Sequence, residues 1–153
     1  MIITISGSMK YEEMMKEMYE KLTRMGFVVF LPWMFGNRDE LLNDDTMETL
    51  HKVHNQKIVM SNAILVVDVG SFDSEEFPYV GDDTKREIEF AKWVSENTDR
   101  KIAELRLSDI IKLYNTHYDA ERILFRDVIM ARMIKENIEL KLFNLQYPAD
   151  KYN

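Results

Sequence analysis

The chain predicts a doubly wound α/β fold, and three observations carry that prediction. Four β-rich runs, IITIS (2–6), FVVFL (27–31), AILVVDV (63–69) and KIAEL (101–105), are separated by segments of helical periodicity. FVVFL and AILVVDV are apolar almost throughout instead of alternating, as in strands buried on both faces. The intervening segments are long enough for the crossover helices that parallel strands require. Together these give a Rossmann-like or flavodoxin-like parallel sheet of four to five strands flanked by helices, with a helical C-terminal extension.

Taken in order, the first run ends at Gly7 and Ser8, and the pattern turns helical from Lys10 to Met25. Tyr11, Met14, Met15, Met18, Leu22 and Met25 recur at spacings of three and four, and the methionine stripe reads as core. Gly26 stands where a helix commonly closes. FVVFL reads as a buried parallel strand stopped by Pro32, followed by a polar and aromatic loop over 33–45. A helix is expected from about Thr46 to Ser61, with Met47, Leu50, Val53 or His54, Ile58 and Val59 turned inward. AILVVDV carries Asp68 where a parallel strand leaves the sheet, and the loop GSFDSEEFPYVGDD leads into a further helix. From Ser108 to about Leu145 the chain reads as mostly helical, with a break near Asn115 to His117. The expected organisation is an α/β domain over 1–106 and a helical extension over 107–153, packed on the same domain or on a dimer partner.

A chain of 153 residues is long enough for one well-buried core, and 46% hydrophobic with 31% charged residues describes a globular protein. The net charge of −7 argues against nucleic-acid polymers as partners, while leaving room for a small ligand at a local site. Without cysteine there is no disulfide framework, thiolate nucleophile or thiolate metal site. No basic region followed by an apolar stretch opens the sequence, and no apolar run approaches the roughly 20 residues that cross a bilayer. A soluble, cytoplasmic protein with no membrane partner is expected.

In sheets of this class ligands sit beyond the carboxyl ends of the strands, near the reversal in strand order. That rule collects the turn SGSMK, the loop after Pro32, Asp68, and the start of the helix carrying Glu87. On a helical wheel at about 100° per residue, Ile88, Phe90, Ala91 and Val94 gather on one side. Glu87 falls near the middle of that arc, with Glu89 opposite among charges. A carboxylate facing the core is costly unless it is paired, hydrogen-bonded or reached by a cavity. Two roles fit it. Near a helix N-terminus capped by Asp82 or Asp83 it is a poised, ionised nucleophile or general base; alternatively it pairs with Lys57 or an arginine beneath the loops.

SGSMK has neither the Walker A spacing nor GxGxxG, so it either offers amides and hydroxyls to a phosphate or sugar, or is an ordinary turn. Asp68 either meets a ligand or caps the turn that follows. His51 and His54 lie three apart on one helix, and one of them reaches the pocket or serves structure. With no companion carboxylate at metal-ligand spacing, no metal site is expected.

The segments TISGSMKY, LHKVHNQKIVMSNAILVVDVG, and YVGDDTKREIEFAKWV followed by KIAEL resemble, in order and spacing, the nucleoside 2-deoxyribosyltransferase-like superfamily, most closely its small bacterial and phage-type members. The resemblance covers roughly 1–106. It implies a covalent mechanism in which a glutamate attacks the anomeric carbon of a 2-deoxynucleoside or its 5′-monophosphate and expels the base, after which a second base or water releases the sugar. Glu87 matches that nucleophile, with Asp68 as the second catalytic residue, a contact to base or sugar. Ser6, Gly7 and Ser8 would line the sugar or a 5′-phosphate, and His54, Gly81, Asp83 and Thr84 complete the expected substrate contacts. The resemblance implies no cofactor, and a homodimer or higher homo-oligomer. FDSEEFPY is longer than the matching loop of compact members, and Asp82 and Asp83 are the residues at hand for the second, base-binding carboxylate.

Two other functions stand beside this one: a non-catalytic nucleotide-binding or sensing module of the same fold, and an interaction protein in which the fold survives without activity. The C-terminal stretch HYDAERILFRDVIMARMIKENIELKLF, with Ile123, Val128, Met130, Ile134 and Ile138, is expected either to cover one face of the sheet or to build a dimer.

Overall fold

The computed structural model describes residues 1–33, 43–121 and 125–135, and its architecture follows from how each apolar run distributes its side chains. Strands β1 (Ile2–Gly7), β2 (Val28–Phe30), β3 (Ala63–Val67) and β4 (Ala103–Arg106) form one all-parallel sheet in the order β2-β1-β3-β4. Helices α1 (Glu12–Arg24), α2 (Asp44–Val59), α3 (Asp82–Asn97), α4 (Leu107–Glu121) and α5 (Phe125–Lys135) flank it, and a 3₁₀ turn over Met9–Tyr11 leads into α1. This is the expected doubly wound α/β fold.

Alternation along the strands builds two cores. Ile3 and Ile5 of β1, Leu65 of β3 and Leu105 of β4 face the α1 methionines together with Ile110 of α4 and Ile129 of α5. Ile64 and Val66 point the other way, onto Ile58 of α2 and Ala91 and Val94 of α3. Each fully buried Ile, Leu or Met of this kind contributes about 1.5–3 kcal/mol. The described part of the expected extension therefore belongs to the first core. Val128 and Met133 of α5 are buried there, with Met130 packed against them.

Three expectations change. FVVFL becomes a three-residue strand at the sheet edge, with Val28 44% exposed, because β1 is the neighbour it pairs with and the residues around it leave one face open. The break near Asn115 to His117 does not occur, since α4 runs unbroken through those positions. The strand ending at Asp68 stops at Val67. Residues 34–42, Ile123, Ile138 and the expected helix end near Leu145 lie outside the described residues. Among the described residues no helix is long and apolar enough to cross a membrane.

What positions the site is a reversal. From β1 the chain passes to α1 on one face, whereas from β3 it passes to α3 on the other. β1 and β3 are neighbours, so their exits diverge and leave a crevice at their carboxyl ends. Gly7 makes the close pairing possible there, because a Cβ at this position would sit 2.9 Å from the Val67 carbonyl oxygen.

At the other end of α1, Gly26 adopts φ 92°, and its N–H donates to the Thr23 carbonyl while that of Phe27 donates to Leu22. This is a Schellman closure, which needs a residue at ease with positive φ. Gly26→Ala should lower unfolding stability by about 1–2 kcal/mol in urea titration, with an unchanged slope.

Candidate functional site

The site begins with two hydroxyls. Thr4 and Ser6 project from β1 toward α2, opposite to Ile3 and Ile5, and both are fully buried. A buried hydroxyl needs a partner. Thr4 Oγ1 lies 2.6 Å from Ser61 Oγ, just past the end of α2, and Ser6 Oγ lies 3.1 Å from His54 Nε2, about two turns back. These bonds set the rotation of α2 on the sheet. They turn Met47, Leu50, His51 and His54, at helical spacing, toward the carboxyl ends of β1 and β2.

On the facing side, α3 begins at Gly81, which is its N-cap and makes no side-chain cap bond. Asp82 and Asp83, expected as the cap, fall instead in the first turn, where they pair with Lys85 and Arg86. Thr84 and Glu87 follow at one-turn spacing on the face toward α2. Between the helices lies an open cleft of about 310 Å³, lined by Gly7, Met9, Pro32, Trp33, Met47, Leu50, His51, His54, Asp83, Thr84 and Glu87. α2 contributes Met47, Leu50, His51 and His54 to the lining, and α3 contributes Asp83, Thr84 and Glu87.

Glu87 is the deepest acid in the cleft, its side chain only 15% exposed, with Oε2 3.5 Å from His54 Nε2. Among the described residues it accepts no hydrogen bond. The expected partner Lys57 is engaged elsewhere. Its Nζ donates to the Leu31 carbonyl at 2.6 Å, and burial lowers the amine from the ordinary lysine value. Glu89 is exposed, as its place on the helix requires.

Ser6, His54 and Glu87 resemble a serine–histidine–carboxylate relay in composition but not in geometry. A relay uses the two ring nitrogens for different partners. Here both partners meet Nε2, and Nδ1 is buried with no hydrogen-bond partner among the described residues. Ser6 is also sealed beneath the histidine, away from the cleft.

The sequence-derived residues thus divide. Gly7, His54, Asp83, Thr84 and Glu87 meet in the cleft, with Ser6 directly behind. Ser8 and Gly81 are neighbours at its rim, since a Cβ on Gly81 would lie 3.8 Å from that of Ser8. Ser8 itself caps the 3₁₀ turn. Asp68 stands apart. It is 0% exposed, and its two carboxylate oxygens accept from the N–H and the hydroxyl of Ser108, at 2.9 and 2.6 Å, capping α4 from outside the helix. Met9 and Trp33 belong to the turn and the loop that the strand-end rule collects, whereas Met47 and Leu50 are expected only as inward-facing core, because an apolar residue at helical spacing reads the same whether it faces a sheet or a cavity. Among the described residues no group of three His, Asp or Glu is placed to hold a metal ion.

The two buried acids should respond oppositely to mutation. Asp68→Ala removes two satisfied bonds and should cost about 1–3 kcal/mol in urea unfolding. Glu87→Gln removes a charge that nothing neutralises by hydrogen bonding, so stability should stay level or rise by up to about 1 kcal/mol. Compared with protein-family models, with curated proteins and with solved structures, the chain has no match in any of the three.

Proposed function

We propose that the protein cleaves or transfers the N-glycosidic bond of a 2-deoxynucleoside or its 5′-monophosphate through a covalent sugar ester on Glu87. The observation that carries this reading is a carboxylate largely withdrawn from water, accepting no hydrogen bond, yet open to a cleft at the sheet's reversal point. The resemblance of 1–106 to the nucleoside 2-deoxyribosyltransferase-like superfamily supports it, with Glu87 at the matching position.

In the first step a Glu87 oxygen bonds to the anomeric carbon while the carbon–nitrogen bond breaks. The base leaves with the bonding pair and takes a proton from solvent at the open mouth. Positive charge develops on the sugar as an oxocarbenium ion, and the adjacent carboxylate stabilises it. In the second step water or another base attacks the same carbon, Glu87 departs as carboxylate, and the attacking group loses its proton to solvent. Two displacements at one carbon restore the β configuration. Asp83, one turn before Glu87 on the same face, is the second carboxylate within reach of the base. Trp33, Met47 and Leu50 suit a flat, apolar base, and the Glu87 wall suits hydroxyls. No cofactor enters this scheme.

A second reading, binding of a nucleoside or nucleotide without turnover, is favoured by the same apolar wall and by the contact between His54 and Glu87. Base release separates the two. Incubation with deoxynucleosides and their monophosphates should liberate free base, and an added second base should give the exchanged β-nucleoside. Glu87→Gln should lose at least about a thousandfold in rate, as removal of a covalent nucleophile does. Glu89→Gln, on the solvent side of the same helix, should be nearly silent. Base release unchanged in Glu87→Gln, or absent from every nucleoside tried, would leave the binding module as the function.

The proposal extends to assembly as a homodimer or higher homo-oligomer. Met60 of the α2 end and Trp93 of α3 are half-exposed apolar groups, and Trp93 stacks on Phe90 with ring centroids 6.5 Å apart. Light scattering should give at least twice the monomer mass of 18.2 kDa; a monomer at working concentration removes this part.

A further inference from the structure

His54 lies 5% exposed at the back of the cleft, and three facts constrain where its proton sits. Nε2 is 3.1 Å from Ser6 Oγ, the same Nε2 is 3.5 Å from Glu87 Oε2, and Nδ1 has no hydrogen-bond partner among the described residues. With the proton on Nδ1, a buried N–H would have no acceptor and the Nε2 lone pair would face the lone pairs of a carboxylate. Both are unfavourable. With the proton on Nε2, a hydroxyl oxygen at 3.1 Å and a carboxylate oxygen at 3.5 Å are both at hand as acceptors, and the unpartnered atom is a bare nitrogen.

We propose that His54 is a positioning residue which holds the Glu87 carboxylate in its attacking orientation through a proton carried on Nε2, with Ser6 fixing the imidazole from behind. The proposal rests on the reading of Glu87 as the nucleophile. His54 neither gives nor takes a proton in the reaction. Its N–H engages one carboxylate oxygen and leaves the other free to attack, and the 3.5 Å separation closes as substrate fills the cleft, as hydrogen bonds at empty catalytic sites commonly do. The contact weakens while Glu87 is esterified and strengthens again as the carboxylate regains its charge, so it favours release of the sugar in the second step. The sequence resemblance grouped His54 with the substrate contacts; the geometry gives it a different task.

Two measurements decide the proposal. Nitrogen NMR of protein labelled with ¹⁵N in its histidines should show His54 with hydrogen on Nε2 and a bare Nδ1, and Glu87→Gln should move the Nε2 signal. Hydrogen on Nδ1 of neutral His54, or a signal indifferent to Glu87→Gln, overturns it. For base release, Gln and Asn are the informative substitutions, because a glutamine amide reaches the place of Nε2 and an asparagine amide that of Nδ1. His54→Asn and His54→Ala should lose roughly 10- to 100-fold in kcat with KM within about twofold, while His54→Gln recovers most of the rate. Equal losses in the Gln and Asn variants would make His54 merely structural. If the wild type releases no base, the nucleophile reading fails while the NMR result still decides the contact. If His54→Ala does not fold, the Gln and Asn pair and the wild-type spectrum carry the test.

Discussion

The site depends on the two hydroxyls that β1 buries on one face. A central strand with apolar side chains on both sides would let helices slide over it, because hydrophobic contact is non-directional. Thr4 and Ser6 remove that freedom. Each must find a partner or lose about 1–3 kcal/mol, and the partners are His54 of α2 and Ser61, just past the end of that helix. Ser61 also donates back to the Lys57 carbonyl, so its hydroxyl links the end of α2 to the strand. α2 is thus fixed by two polar contacts 7 residues apart in sequence, about two turns, while the opposite face of β1 is held by apolar packing alone.

Everything in the cleft follows from that fixation. The rotation that brings His54 to Ser6 also turns Met47, Leu50 and His51 toward the strand ends and leaves Val53 in solvent. α3 is placed separately, by Ala91 and Val94 against Ile64 and Val66. Glu87 lies one turn before Ala91 on nearly the same face, so packing that helix carries the carboxylate into the space α2 leaves open. A polar contact orients one wall and an apolar contact the other, and the imidazole and carboxylate meet where they converge.

The sequence made the fold legible because its signals are local. Strands of β-branched residues, the stripe of α1 and the glycine that ends it are read within a short window, and each stands within a few residues of its expected place. Where a partner distant in the chain decides, local signals fail. FVVFL has the composition of a central strand, but strand order is set by crossovers, and β2 lies at the edge. Glu87 is legible as a core-facing acid, yet its neighbour is not: Lys57 or an arginine is the expected partner, and His54, held by Ser6 of β1, is the one beside it. The partner of Asp68 is hidden for the same reason, since Ser108 lies 40 residues on. The unbroken α4 shows the converse, packing of Ile110 and Ile111 overriding weak helix formers near Asn115.

Asp68 and Glu87 are both acids at the carboxyl edge of the sheet, both largely removed from water, and from composition alone nothing separates them. Satisfaction of their oxygens does. Asp68 accepts two bonds from Ser108, one per carboxylate oxygen, so its burial is compensated and its lone pairs are committed. A carboxylate in that state cannot approach a carbon atom without first breaking both contacts and exposing the helix end it caps. Glu87 accepts none among the described residues, and borders open space on one side and an imidazole at 3.5 Å on the other. Its partial burial is matched by no hydrogen bond among the described residues, whereas that of Asp68 is matched by two. An acid that faces a cleft with its oxygens uncommitted has capacity to bind or to bond, so what separates these two carboxylates is hydrogen bonding and not depth alone.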